Sequence, residues 1–121
     1  MARVGEARRA GCPYARWVDE SVTIAFVGYA TAAQEPSAVA YEDAVLPLLT
    51  DHGATLVYRG RRAKGQRPSL PLEVHLIRFP SRVAYERFLV DDRRQHLLEV
   101  HGEVFTSEVV VELDTIAGAA G

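Results

Sequence analysis

The first hydrophobic run, Val22-Thr23-Ile24-Ala25-Phe26-Val27-Gly28-Tyr29, is β-branched and aromatic and is apolar on nearly every position. A stretch this short, without helical periodicity, predicts a strand over residues 21–30 covered on both faces. Residues 31–37 form a loop in which Pro36 is placed to open a helix. The period then changes. Tyr41, Val45, Leu48 and His52 recur at helical spacing over residues 37–52, with Leu46 and Leu49 widening the stripe. Asp51-His52-Gly53 supplies the stop, Gly53 taking the left-handed cap. Pro47 lacks an N–H and should bend the last turn.

Residues 54–62 and 72–79 read as the second and third strands. Ala63-Lys64-Gly65-Gln66-Arg67-Pro68-Ser69-Leu70-Pro71 between them is turn chemistry throughout. After Pro80, Ser81 is placed to cap a helix whose apolar side is Ala84, Tyr85, Phe88 and Leu89. Asp91-Asp92 interrupts that pattern and caps a further helix, on which Leu97, Leu98, His101 and Phe105 are helically spaced and Gly102 weakens the end. The last strand is residues 106–113, carrying Val109, Val110 and Val111. The folded domain is therefore expected over residues 21–114. Residues 1–20 are aperiodic and rich in Arg, Ala and Gly, and read as a flexible arm; Tyr14 and Trp17 in it are either free or folded over a pocket mouth or a neighbouring subunit. Residues 115–121 read as a frayed tail.

Strand, helix, strand, strand, helix, strand is the split βαβ (βαββαβ) order of an α+β, ferredoxin-like fold. Right-handed crossovers give an antiparallel sheet of order 4-1-3-2 with the helices on one face. Strands one and four are apolar on both sides, so the other face should not be left in water. A chain of 121 residues has nothing more to cover it with. A second copy, sheet against sheet in a twofold homodimer, is the expected cover.

Composition mainly removes possibilities. Fourteen basic against sixteen acidic residues, net charge -2, argue against a protein that coats nucleic acid, and no nucleic-acid partner is expected. No apolar run approaches eighteen residues and no signal-like segment follows Met1, so no membrane partner is expected and a cytoplasmic address is the default. The single Cys12 excludes an internal disulfide framework and, in an aperiodic arm without an adjacent base, is a poor nucleophile. Glycine-rich nucleotide motifs, a nucleophile elbow and metal-ligand spacings are absent, so no dedicated cofactor or metal is expected.

Several segments carry a family likeness. Tyr41-Glu42, Leu46-Pro47-Leu48-Leu49 and Asp51-His52-Gly53-Ala54 are followed by Glu73-Val74-His75-Leu76-Ile77-Arg78-Phe79-Pro80-Ser81, then by Phe88-Leu89 and Asp91-Asp92-Arg93-Arg94-Gln95. Over residues 22–113 the chain resembles a small bacterial family of unknown function in the dimeric α/β-barrel, ferredoxin-like superfamily. That superfamily includes cofactor-free monooxygenases, polyketide cyclases, lactone isomerases and haem-dependent enzymes. The resemblance implies a dimer with a pocket between sheet and helices, and leaves the chemistry open.

His75 and Glu73 are the first candidates for chemistry. Two apart, they share one face of a central strand, where an unpartnered carboxylate or imidazole is costly. An imidazole oriented by a carboxylate is general acid–base equipment. The alternative is a hydrogen-bonded core histidine beside a solvated Glu73 at the hairpin mouth. Pairing about Gln66-Arg67 sets Tyr58 opposite His75, where Tyr58 or Arg59 would hold a substrate oxygen, unless Tyr58 is an ordinary cross-strand aromatic. Tyr29 either lines a pocket mouth or merely ends its strand. His52 sits well on a helix dipole, and the resemblance keeps it as a pocket candidate. Arg59, Arg61, Arg62, Lys64 and Arg67 are either a gate for an anionic substrate or a small nucleic-acid contact, or a solvated hairpin tip, and the aromatic interleaving of a single-strand-binding surface is absent. His96 and His101, five apart, do not share a face as a metal pair.

Three functions fit. One is a cofactor-independent enzyme acting on a small, largely apolar organic molecule by acid–base chemistry of the isomerase, cyclase or lyase type. Another is a cofactor-free monooxygenase similar to quinone-forming superfamily members. The last is a non-catalytic ligand-binding or structural dimer.

Overall fold

The computed structural model describes residues 20–116; the arm's Cys12, Tyr14 and Trp17 and the end of the tail lie outside them. Four strands, β1 (Val22–Tyr29), β2 (Thr55–Arg61), β3 (Glu73–Phe79) and β4 (Ser107–Leu113), form one sheet of order β2-β3-β1-β4. All three pairings are antiparallel. This is the 4-1-3-2 arrangement read from the other edge. The helical elements are α1 (Glu35–Val45), a 3-10 segment (Leu46–His52), α2 (Arg82–Leu89) and α3 (Asp92–His101).

Local chemistry sets the element ends. Pro36 stands in the first turn of α1, and the α-helix gives way to the 3-10 segment immediately before Pro47. Proline cannot donate to the preceding turn, so the tighter helix carries the chain on to its stop. Gly53 follows in the left-handed region at φ 71°, its N–H bonding back to the Thr50 carbonyl at 3.0 Å. The Ser81 hydroxyl accepts from the Ala84 N–H at 3.1 Å, and the Asp91 carboxylate accepts from the Arg93 N–H at 2.8 Å. These are the caps that start α2 and α3.

Register decides which side chains meet. Val22, Ile24, Phe26 and Gly28 of β1 stand opposite Phe79, Ile77, His75 and Glu73 of β3. Of these, Val22, Ile24, Ile77 and Phe79 join a buried cluster with Ala38, Tyr41, Val45, Leu49 and Phe88 from the helical layer. Each large apolar side chain buried there contributes roughly 1.5–3 kcal/mol. The alternate positions, Val27, Val74, Leu76, Val109, Val111 and Leu113, share the opposite sheet face, which no helix among the described residues covers.

Two expectations are corrected. Phe105 is not helical: α3 ends at His101, and the chain turns at Gly102, whose φ is 71°. Phe105 then packs against Phe26 at 5.4 Å between ring centroids. The second concerns the hairpin. Pairing is centred on Arg67 rather than between Gln66 and Arg67, so Arg59 stands opposite His75 and Tyr58 opposite Leu76. A shift of one residue moves a side chain to the other face, and the Tyr58 ring lies on the uncovered side, over Gly60. Val57 is the extra residue of a bulge between Leu56 and Tyr58.

Gly28 is where the aromatic layer comes closest to the backbone. A Cβ there would stand 2.7 Å from Phe105 Cε1 and 2.9 Å from Phe26 Cε2. Gly28→Ala is expected to lower stability by about 1–3 kcal/mol through overpacking. Urea denaturation measures this as a lower midpoint at unchanged slope.

Candidate functional site

The site grows from one buried carboxylate. Glu73 begins β3 on the helix side, where it is 1% exposed. Arg59 and Arg61, on the neighbouring strand, point from the same face because they pair with His75 and Glu73. Arg59 clamps the carboxylate with both edges of its fork, Nε to Oε1 and Nη2 to Oε2, each at 2.9 Å. Arg61 Nε donates to Oε2 at 2.8 Å. His75 Nε2 meets Oε1 at 2.7 Å. Burial opposes ionisation of Glu73, yet the hydrogen bonds from His75, Arg59 and Arg61 outweigh it and hold the carboxyl down at about 2.

An ionised carboxylate can only accept, so Nε2 of His75 carries a proton and donates it to Glu73. Among the described residues Nδ1 has no hydrogen-bond partner. The ring is 2% exposed and lies on Phe26, with centroids 4.9 Å apart and planes 21° from parallel. It is held by a charged clamp on one side and an aromatic plate on the other.

His75 lines a cavity of about 120 Å³ between the sheet and the helices. The walls are mostly hydrocarbon and aromatic, with Phe26, Phe79, Phe88 and Phe105 prominent, and Arg94 and Glu108 bring charge to it. A second hollow of about 300 Å³, bounded by Gly102, Glu103 and Val104, shares Tyr41, Leu98, Phe105 and Glu108 with the first. Together they form an inner chamber and an outer groove.

Sequence reasoning missed Glu42. It projects from α1 into the inner chamber, is 4% exposed, and has no hydrogen-bond partner among the described residues. Burial first, then the like charges of Glu73 and Glu108, push its carboxyl up to about 8; Arg59 and Arg94 only partly offset this. Glu42 is thus mainly neutral at pH 7, beside a Glu73 that is charged. The available signal was its place in the stripe Ala38, Tyr41, Glu42, Val45, all buried on one side of α1. An acid in an apolar stripe departs from the pattern of an ordinary amphipathic helix.

The other candidates are dispersed. Arg59 joins the His75–Glu73 pair, and its Nη1 is spent on Asp43 of α1 at 2.9 Å. His52 bonds Asp91 at 2.7 Å and meets the Phe88 ring edge-on at 5.7 Å between centroids. It ties the 3-10 segment to the start of α3, away from the chamber walls. Tyr29 pairs with Ser107, and its carbonyl accepts from the Thr106 N–H at 2.7 Å. Tyr58 stands on the uncovered sheet face, so neither tyrosine joins His75. Within the basic hairpin, Arg62 is bonded to Glu35 and to the Leu70 carbonyl.

The two glutamates give opposite pH dependences. Glu73 binds its proton less readily when folded than its ordinary value of 4.5 implies, so its contribution is present above pH 4.5 and is lost as pH falls towards 2. Glu42 binds its proton more readily when folded, so stability is lost as pH rises from 4.5 to about 8. Each pH unit inside that upper window costs up to about 1.4 kcal/mol. Glu42→Gln is expected to remove the decline above pH 5 and leave the acid limb in place. Urea denaturation between pH 3 and 9 measures both.

No family model matches the chain, and no curated relative is found. Solved structures do match. A Caulobacter crescentus protein provisionally assigned as an antibiotic biosynthesis monooxygenase superposes with a TM-score of 0.66 at 12% identity, over 83% of this chain and 93% of that one. One with the same provisional assignment from Bacteroides thetaiotaomicron gives 0.67 at 10%, over 82% and 92%. A dimeric ferredoxin-like protein of unknown function from Jannaschia sp. CCS1 gives 0.62 at 13%, over 78% and 99%. At these identities the likeness is one of architecture, and the architecture is ferredoxin-like.

Proposed function

We propose that the chain is an enzyme using acid–base chemistry, without a dedicated cofactor, on a small and largely apolar organic molecule held between sheet and helices. The observation that carries this is His75, a buried imidazole whose Nε2 donates to an ionised carboxylate and which lines the cavity. Glu73 orients the ring and supports the imidazolium that forms when Nδ1 takes a proton. Arg59 and Arg61 keep Glu73 from taking that proton itself. The chamber, about 120 Å³, is close in size to a cavity of about 150 Å³ known to hold benzene, which favours a substrate no larger than a single ring. Proton abstraction beside a carbonyl, leading to isomerisation, cyclisation or elimination, suits this equipment. We assign the uncovered sheet face to a second copy of the chain, as its row of valines and leucines favours.

A second reading, cofactor-free oxygenation of an electron-rich ring, is favoured by the provisional names of the Caulobacter and Bacteroides neighbours. The two diverge in one measurement. Single-ring ketones incubated with the protein in heavy water should lose their α-protons faster than in buffer, as followed by NMR. His75→Ala should return the rate to that of buffer, a loss of about 10²- to 10⁴-fold, with the fold intact by circular dichroism. Oxygen consumption with a dihydroxybenzene, and no α-exchange, would favour the oxygenase instead.

Assembly is tested separately. The untagged chain should run in light scattering at roughly twice 13.3 kDa. Val111→Asp, which puts a charge in the middle of the uncovered face, should shift it to the monomer.

A further inference from the structure

Glu42 is costly to the fold and has no structural task. It stands on α1 between Tyr41 and Val45 and is buried among residues that otherwise pack. The adjacent Asp43 turns outward and is used, holding Arg59. Glu42 turns inward, lines the chamber, and is bonded to none of the described residues. An apolar residue there would complete the stripe and avoid the cost of an unpaired buried polar group. Its carboxyl reaches the chamber from the helical layer, while the imidazole of His75 reaches it from the sheet. Charged groups of four other elements act on it: Glu73 on β3, Arg59 on β2, Glu108 on β4 and Arg94 on α3.

We infer that Glu42 is the catalytic acid that works opposite His75, donating its proton to the carbonyl oxygen of an enolisable cyclic ketone. The inference rests on the acid–base reading above. In the forward step, Nδ1 of His75 takes a proton from the carbon next to the carbonyl. The electron pair of that C–H bond becomes a C=C bond. The carbonyl π pair moves to oxygen, which takes the proton of Glu42. The enol now stands between an imidazolium and a carboxylate. In the return step the imidazolium gives its proton to a carbon further along the conjugated system, and the enol O–H returns its proton to Glu42. No electron is gained or lost overall, and both side chains are restored. The net change is a moved double bond.

Cyclohex-3-en-1-one is a probe of the right size, since its conversion to the conjugated isomer is followed by ultraviolet absorbance. The wild-type protein should convert it, and His75→Ala should not. Glu42→Gln keeps size, neutrality and an N–H donor but has no proton to transfer. It should lower kcat at least 100-fold with KM within threefold. Isotope-edited infrared spectra of glutamate-labelled protein at pH 7 should show a protonated carboxyl band that is missing from both Glu42→Gln and Glu42→Met. Near-wild-type turnover in Glu42→Gln, with His75→Ala inactive, would overturn the assignment of Glu42 and leave the base in place. A wild-type protein that lacks the protonated band overturns it without any variant. No conversion by the wild type removes the acid–base reading and this inference with it.

Discussion

The Glu73 carboxylate is the interaction on which the site depends. A charge at the start of a central strand, 1% exposed, survives only because two arginines and a histidine surround its oxygens. Removing one partner from such a cluster leaves a buried charge short of compensation, which is why these groups act as a unit. Its consequences spread outward. Glu73 orients the ring of His75, joins β2 to β3 beyond the backbone ladder, and, through Arg59 and Asp43, ties the sheet to α1. The order of the sheet makes this possible, because only a strand with neighbours on both sides receives donors from one while an aromatic of the other stacks on its histidine.

The same cluster explains why two glutamates in one region behave differently. Close carboxyls compete for ionisation, and the better-solvated or better-paired one keeps its charge. Glu73 has guanidinium forks and an imidazole against it; Glu42 has hydrocarbon. The charge settles on the first and the proton on the second. One is equipped to orient and the other holds a proton that it can release. A fold that divides two identical side chains this way keeps one carboxyl charged and raises the other's hold on its proton within one region.

Much of this was legible in the chain. The β-branched run of β1, the cap residues Gly53, Ser81 and Asp91, and the break at Pro47 each have a local cause and appear where that cause puts them. The sheet order followed from handedness. His75 and Glu73 stood out because polar groups on a central strand demand an explanation. What stayed hidden was set by non-local geometry. Eleven residues separate β2 from β3, so the centre of the hairpin was open by one position, and that position decided whether Tyr58 or Arg59 faces His75. Glu42 was not singled out because the stripe through Leu48 and His52 lay slightly to one side of the face that is buried. Phe105 kept helical spacing, but the chain left the helix at Gly102.

The boundary of the chamber is divided by origin. His75, Glu73, Arg59 and Arg61 belong to ladder positions, where any slip is resisted by the whole sheet, whereas the outer groove is bounded by the short connection from Gly102 to Phe105. In that connector Val104 and the ring of Phe105 pack into the core and the Glu103 carbonyl accepts from Gln34 Nε2 at 3.4 Å, while Gly102 meets nothing where a Cβ would stand. A change in that connector is therefore able to reshape the groove without disturbing the charged cluster held by the ladder.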